Sequence, residues 1–344
     1  MVDIIEIMTI FLALIFLSII LLFHELGHFL LAKISKVKVE EFGLGFPPRI
    51  WAKKFKETEY SLNWIPFGGF NKIKEESFES QPTGRRMFIL AGGVLTNVFL
   101  GWIFFSLVFM LGSRPLVMIS DLAPDSPAAL AGLQKNDVIL SVVTEGEILA
   151  APFSNQQFIE FVNRFRGEIL DIKINRNGKD IDFQVLSRKN PPAGQGSLGV
   201  AIVEAGTPAQ PLGRSLIEAA KTTAQVIKLT FYAIYQLITQ AFIKPEILNA
   251  LTGPVGAIAL ASQIAKIGFV YLLQVMAFLS VGFAAFNVLP FPALDGGHLL
   301  FILIEKIKGS PVPTRFRNLI NAFGLSFLLV LMFLVTIKDI RGLI

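Results

Sequence analysis

Long apolar runs alternate along this chain with stretches that carry charge and polar periodicity. Four runs are long enough to cross the hydrocarbon core of a bilayer as helices, at about 8–32, 87–111, 269–289 and 319–337. The first run has acidic residues before it and lacks a small-residue cleavage site, so it predicts a retained span rather than a signal peptide. The pattern predicts a polytopic α-helical membrane protein with about four transmembrane helices.

Polar periodicity returns between the second and third runs, from about residue 114 to 204. A short helix is predicted at 158–165, and strands at 169–175 and 181–186 are joined by a turn at Asn177-Gly178. This stretch is therefore predicted to be a soluble α+β domain inserted between the membrane spans.

A second β pattern lies between the first two apolar runs. Tyr60, Leu62 and Trp64 alternate with the residues between them, and Pro66 and the glycines after it interrupt the strand, so a β-hairpin is predicted at about 58–73. Its apolar tip suits a hairpin that dips into the membrane face, and its edge would accept an extended peptide as an added strand. A plain cytoplasmic β-loop accounts for the spacing equally well.

Basic residues indicate the orientation of the spans. Lys and Arg are concentrated between the first and second spans and between the third and fourth, so both loops are predicted to be cytoplasmic and both termini external. Lys338 and Arg341 argue weakly the other way. The net charge of +5 follows from this topology, and no nucleic-acid motif accompanies it. The chain has no cysteine, which excludes disulfides and thiolate metal ligands.

The sequence His24-Glu25-Leu26-Gly27-His28 lies near the inner end of the first run. A helix places the two histidines on one face, where they can bind one Zn²⁺, and Glu25 between them can act on zinc-activated water. Ionisable groups within an apolar span are costly, which makes them functional candidates. A catalytic zinc site needs a third protein ligand.

Asp295 is the candidate for that ligand. It follows the third span in the sequence NVLPFPALDGG, where two prolines interrupt the helix just before it. The first and third spans are predicted to run inward, so Asp295 reaches the depth of His24 and His28. His298 is interpreted as a supporting group rather than a ligand.

The stretch 214–242 is apolar enough at its end to be considered as a fifth span. A fifth crossing would place Asp295 on the opposite side of the membrane from His24. The stretch is therefore predicted to be an amphipathic helix on the outer interface.

Two separated motifs and the order of the domains resemble the site-2 protease family of intramembrane zinc metalloproteases, in its bacterial branch. The motifs are HELGH in the first span and N-x-x-P-x-P-x-L-D-G-G-H after the third, with a domain between them whose SPAA, AGL and DVI segments resemble a PDZ domain. The resemblance implies that Glu25 is the general base, that His24, His28 and Asp295 bind zinc, and that Asn287 helps to hold the substrate backbone.

The resemblance also implies a function and a location. We expect regulated intramembrane proteolysis of single-span membrane proteins, such as anti-sigma factors or remnant signal peptides, in the bacterial inner membrane. The active site would lie towards the cytoplasmic side, and the PDZ-like domain would be extracytoplasmic. No glycine-rich carboxylate-binding loop is evident before Met118, which leaves capture of peptide ends and size filtering as alternatives for that domain.

Four parts of the chain are expected. They are 1–112 (two spans, the HELGH motif and the hairpin), 113–206 (the PDZ-like domain), 207–266 (the interfacial helix and a linker) and 267–344 (the last two spans with the NVLPFPALDGG motif). Two other functions compete with the protease. A metal-bound scaffold would act through the PDZ-like domain but would not need Glu25, and a metal-ion transporter would need more polar residues in the second and fourth spans than occur.

Overall fold

The computed structural model describes residues 4–113, 115–176, 179–192, 194–240 and 268–343, together with 243, 253, 255–258, 261 and 264. The predicted turn at Asn177-Gly178 and most of the predicted linker after residue 240 lie outside the described residues. The chain divides into two compact units, one made of residues 1–107 and 212–344 and the other of residues 108–211.

The helices and strands are numbered in chain order. The helices are α1 (Ile4–Ile34), α2 (Glu75–Glu79), α3 (Thr83–Leu111), α4 (Pro127–Leu130), α5 (Asn155–Arg164), α6 (Leu212–Gln240), α7 (Phe269–Asn287), α8 (Asp295–Lys308) and α9 (Thr314–Leu343). The strands are β1 (Val39–Phe55), β2 (Thr58–Ile73), β3 (Leu116–Leu122), β4 (Val138–Thr144), β5 (Glu147–Ala150), β6 (Ile169–Arg176), β7 (Lys179–Leu186) and β8 (Val200–Ala205).

Four of the described helices are long and apolar enough to cross a membrane. They are Leu14–Ile34 within α1, Thr83–Leu111, Phe269–Asn287 and Thr314–Arg341 within α9. The prediction of about four such helices is confirmed, and α6 is not among them. The second and fourth helices begin four or five residues earlier than the apolar runs, because hydropathy marks the part of a helix that suits lipid and not the end of its hydrogen bonding.

The first β region is larger than the sequence indicated. The predicted hairpin at 58–73 is one long strand, β2, and its antiparallel partner is β1. Glu41 of β1 pairs with both Glu59 and Lys72 of β2, so the two ends of β2 flank the same part of β1. The break expected at Pro66 is where β2 bends from one side of β1 to the other. Gly68 adopts a φ of 65° in this bend.

The bent part of this sheet packs against α1. A Cβ on Gly68 would lie 3.0 Å from the Leu21 side chain, and one on Gly69 would lie 3.0 Å from Cδ1 of Leu22. Further along, Phe29 of α1 packs in one cluster with Val39 of β1 and other buried apolar residues. The glycines therefore bring the sheet close to α1 one turn before the first histidine.

Small residues also bring α3 close to its neighbours. A Cβ on Gly92 would lie 2.6 Å from the carbonyl oxygen of Gly27 in α1, which no side chain allows. On another side of α3, the Ser280 hydroxyl of α7 donates a hydrogen bond to the backbone carbonyl oxygen of Asn97 at 2.8 Å. Close approach through small residues is typical of helices that pack within a membrane.

The second unit is an α+β domain with its own apolar core. Its sheet has the order β7-β6-β4-β3-β8, with β5 paired to β4. Side chains of α5, including Phe158, Phe161 and Val162, pack into the core with residues of the sheet such as Ile119 and Ile172. A capping box made by Ser154 and Gln157 fixes the start of α5.

One ion pair of this unit is buried. The Asp137 carboxylate is fully buried and accepts hydrogen bonds from Nε and Nη2 of Arg176, both at 2.7 Å. The Gln134 backbone N–H also donates to it at 2.7 Å. The hydrogen bonds to Asp137 raise the pKa of the Arg176 guanidinium above its ordinary value.

Candidate metal centre

Helix α1 aligns two imidazoles. His24 and His28 are four residues apart, one turn of helix, so their side chains lie on one face. Their ring centroids are 4.8 Å apart, with the ring planes at 85°. Both residues are buried, with 6% and 8% of their surfaces exposed. A Phe283 ring from α7 packs edge-on against His24 at 5.2 Å.

A short loop between α7 and α8 positions the carboxylate of Asp295. Asp295 is the first residue of α8, where the helix dipole favours a negative charge. Two residues earlier, Ala293 has a φ of 72°, which is uncommon for a residue with a Cβ. Its backbone N–H donates to Oδ1 of Asn321 in α9 at 3.2 Å. This bond between the loop and α9 holds the turn that precedes Asp295.

The three predicted ligands meet at one point. Oδ2 of Asp295 lies 3.1 Å from Nε2 of His24 and 3.3 Å from Nε2 of His28, and the two nitrogens are 3.2 Å apart. Four ligands arranged tetrahedrally at the usual zinc distances are separated by about 3.3 Å from one another. The triangle therefore has nearly the size of one face of a zinc coordination tetrahedron.

The hydrogen bonding of these groups also fits a cation. Nδ1 of His28 lies 3.0 Å from the Ile89 carbonyl oxygen, which can only accept, so Nδ1 carries the proton and Nε2 offers a lone pair. The Asp295 oxygen that faces the imidazoles has no hydrogen-bond partner among the described residues. Lone pairs that converge in a buried place repel one another unless a cation or proton lies between them. The chemistry of these donors therefore fits zinc.

A glycine of α3 leaves room for this arrangement. A Cβ on Gly93 would lie 2.5 Å from Nε2 of His28 and 2.7 Å from Nε2 of His24. Both separations are well below ordinary van der Waals contact. Any side chain at this position would therefore displace the two imidazoles from their present positions.

The other predicted residues lie near this cluster in different ways. Glu25 is half-buried on α1 between the two histidines, and Asp295 is among its electrostatic neighbours. Asn287 is buried at the end of α7, where its amide donates to the Phe283 carbonyl oxygen at 3.0 Å. His298 lies one turn after Asp295 in α8 and is not part of the three-residue ligand group.

Several positioning groups were not identified from the sequence. The Ile89 carbonyl leaves no signal because any residue has one. Gly93 and Asn321 lie within the predicted apolar spans at about 87–111 and 319–337. For Asn321 and Gly93, the available signal was an amide or a glycine within an otherwise apolar helix.

The cluster has the composition of a catalytic metal site. Two imidazoles and one carboxylate leave a fourth position of a tetrahedral ion open to water or substrate, whereas structural zinc sites are closed by four protein ligands. A carboxylate beside that position, such as Glu25, can accept a proton. This arrangement suits metal-assisted hydrolysis.

Comparisons with known proteins agree with this chemistry. The model of peptidase family M50 matches residues 12–331. A Clostridium perfringens protein named as a putative zinc metalloprotease is 33% identical, over 97% of this chain and 98% of its own length. A Campylobacter jejuni protein with the same description is 32% identical over 95% of this chain and 92% of its own length. Zinc metalloprotease RasP of Geobacillus kaustophilus is 26% identical over 93% and 94% of the two chains.

Proposed function

This chain belongs to peptidase family M50, the site-2 protease family, and we propose that it is an intramembrane endopeptidase that cleaves single-span membrane proteins. That it is a zinc metalloprotease follows from the family and its relatives. The observation that carries the proposal is the convergence of three side chains: His24 and His28 lie on a helix that suits a membrane, and Asp295 begins the short helix that follows another such helix. A hydrolytic centre among such helices acts on peptide bonds that lie within the bilayer or at its edge.

The residues of the centre have three different roles. His24, His28 and Asp295 would hold the zinc ion, which would supply Lewis-acid chemistry by lowering the pKa of water towards about 7 and polarising a carbonyl group. Glu25 takes a proton from the attacking water and passes it to the leaving amine. The Ile89 carbonyl fixes the tautomer and orientation of His28.

The substrate has to be unwound before it can react. A helix hides its carbonyl groups in hydrogen bonds, and an extended segment exposes them. The sheet of β1 and β2 packs against α1 one turn before His24 and can add such a segment to its edge. Trp64 is 68% exposed and Ile65 is also exposed, as expected for a part of the sheet that contacts lipid. Asn287, at the end of α7, is the proposed contact for the substrate backbone.

The second unit selects substrates in this proposal. We take this unit to be a PDZ-like domain, and a Gly-Ser-Leu-Gly loop, 196–199, leads into its edge strand β8. Residues of this loop, β8 and α5 line a groove, which favours capture of a peptide end over size filtering alone. Substrates would be anti-sigma factors or remnant signal peptides in the bacterial inner membrane. The metal centre would lie on the cytoplasmic side and the PDZ-like unit outside.

The test compares the full chain with its Glu25→Gln variant in detergent, using a single-span model substrate. Glutamine keeps the shape of Glu25 but cannot accept the proton, so cleavage should fall about 10²–10⁴-fold. Bound zinc, measured by elemental analysis, should be equal in both proteins. Glu57→Gln, which alters an exposed glutamate in the turn between β1 and β2, is the matched control and should retain wild-type cleavage.

Two results would contradict the proposal. Equal cleavage by the wild type and Glu25→Gln would remove Glu25 from the mechanism. Absence of cleavage by the zinc-loaded wild type, across substrates that include a signal peptide and an anti-sigma factor, would favour a metal-bound scaffold that acts through the PDZ-like unit.

A further inference from the structure

Asn97 of α3 is a buried polar residue that the roles above do not use. None of its surface is exposed, and neither the nitrogen nor the oxygen of its side-chain amide has a hydrogen-bond partner among the described residues. An amide buried without partners destabilises a fold, so such groups are rare and are found where another molecule completes their hydrogen bonds.

The helix geometry directs this amide towards the metal centre. Asn97 follows Gly93 by four residues, so the two lie on the same face of α3, and its Cα–Cβ bond tilts back towards the Gly93 turn. Gly93 is the residue whose missing side chain makes room for the two imidazole nitrogens. The Asn97 side chain therefore lies one helical turn from Gly93, on the face of α3 that the two imidazoles contact.

Contacts with α7 and with an apolar cluster also indicate where Asn97 lies relative to the metal centre. The Ser280 hydroxyl of α7 donates to the backbone carbonyl oxygen of Asn97, and Phe283, one turn later in α7, packs against His24. One turn beyond Asn97, Leu100 belongs to an apolar cluster with Ile20 and Met276. Asn97 thus lies between the metal centre and an apolar cluster. A hydrogen-bond partner for its amide is therefore expected only on the side of the metal centre.

We propose that Asn97 is a further catalytic residue, whose side-chain N–H donates a hydrogen bond to the carbonyl oxygen of the scissile peptide as negative charge develops on it. This inference rests on the proposed proteolysis. Among the other side-chain amides near the centre, Asn287 donates to a backbone carbonyl and already has a proposed role with the substrate backbone, and the side-chain oxygen of Asn321 accepts from the Ala293 N–H. Asn97, by contrast, has a buried amide with no hydrogen-bond partner among the described residues.

The step balances without any further reactant. The oxygen of water forms a bond to the carbonyl carbon, the π electrons of the carbonyl move onto its oxygen, and Glu25 takes the proton. The electrons then return, the carbon–nitrogen bond breaks, and the nitrogen receives the proton as the amine leaves. A donor at the carbonyl oxygen binds more tightly as charge accumulates, so it accelerates the reaction more than it strengthens substrate binding.

The test replaces Asn97 with leucine, which keeps the volume and removes the amide. In the full chain in detergent, kcat should fall about 10²–10³-fold, as is typical when one such donor is removed, while KM changes little. Bound zinc should be unchanged. Tm should be equal or higher, because leucine has no hydrogen bonds to leave unsatisfied.

A second measurement does not depend on turnover. A phosphinic peptide presents tetrahedral oxygens that resemble the reacting carbonyl, and its Kd for the zinc-loaded protein should rise in Asn97→Leu by a factor similar to the loss of kcat. Ser280→Ala is the matched control because it changes the same helix interface but leaves the amide in place. Its kcat and its Kd for the phosphinic peptide should remain at wild-type values.

The alternative outcomes are distinct. An Asn97→Leu variant with wild-type kcat and phosphinic-peptide Kd would overturn the inference. Loss of activity together with loss of zinc or a lower Tm would assign Asn97 to packing and would also overturn it. If the wild type cleaved no substrate, the proposed proteolysis would fail, and the Kd comparison would still decide the role of Asn97.

Discussion

Asp295 and Asp137 are two aspartates that lie in different units and are largely removed from water, but they differ in their hydrogen-bond partners. Asp137 faces the guanidinium of Arg176 and a backbone N–H, so its charge and its lone pairs are satisfied by the chain itself. Asp295 faces Nε2 of His24 and of His28, and the oxygen it presents to them has no hydrogen-bond partner among the described residues.

This difference distinguishes a structural carboxylate from a candidate metal ligand. Burial alone does not mark a site, because both side chains are largely removed from water. What marks Asp295 is that its neighbours are lone-pair donors whose geometry suits a cation. A protein stabilises the first kind of carboxylate with its own hydrogen bonds and leaves the second kind for a ligand.

The largest effect is expected from removing the charge of Asp295. Asp295→Asn should reduce zinc binding and peptide hydrolysis by more than about 10³-fold, since loss of an outer partner of a ligand alone costs about 10–100-fold. Zinc per chain after dialysis against a weak chelator, together with cleavage of the model substrate, measures this. Asp137→Asn should retain its zinc. Full zinc occupancy in Asp295→Asn would show that the carboxylate is not a ligand.

A smaller effect is expected from removing the partner of Asp137. Arg176→Met should destabilise the second unit by about 3 kcal/mol, because it leaves a buried carboxylate unpaired. Pulse proteolysis of the full chain in urea measures this loss, and bound zinc should be unchanged. Adding Asp137→Leu to the variant should restore part of the stability. Lys173→Met is the control: Lys173 forms an exposed pair with Asp180 at 3.4 Å, so its loss should cost less than about 1 kcal/mol.

If Arg176→Met were as stable as the Lys173→Met control, the buried pair of Asp137 and Arg176 would not stabilise the second unit. If it lost zinc, the two aspartates would not serve separate purposes.

The smallest effect is expected from adding one methyl group beside the metal ligands. Gly93→Ala should weaken zinc binding roughly 10-fold, the lower end of the range for disturbing a ligand's surroundings, because its Cβ would displace the two imidazoles. Competition with a fluorescent zinc chelator measures the affinity. Gly84→Ala is the control in the same helix, since a Cβ there meets no atom within 4 Å. Equal affinities for the two variants would mean that the histidines do not need the room that Gly93 leaves.

Much of the fold was predictable because it depends on local patterns. The four apolar runs predicted the four helices that suit a membrane, since a long run of such residues has few stable alternatives. The prediction for 58–73 was incomplete, because alternation identifies a strand but not its partner. Only the structure showed that β1 lies between the two ends of β2.

Local spacing was enough to predict the candidate ligands, because HELGH places two histidines on one helix face and Asp295 follows an interrupted apolar helix. How closely these three side chains approach one another depends on the packing of the helices. The triangle of 3.1–3.3 Å depends on a loop with a left-handed Ala293 and on the absence of a side chain at Gly93. The packing also determines which buried polar groups are left without hydrogen-bond partners, as at Asn97. Spacing along a chain fixes the face of one helix, whereas hydrogen-bond partners from other helices are settled only when the helices pack.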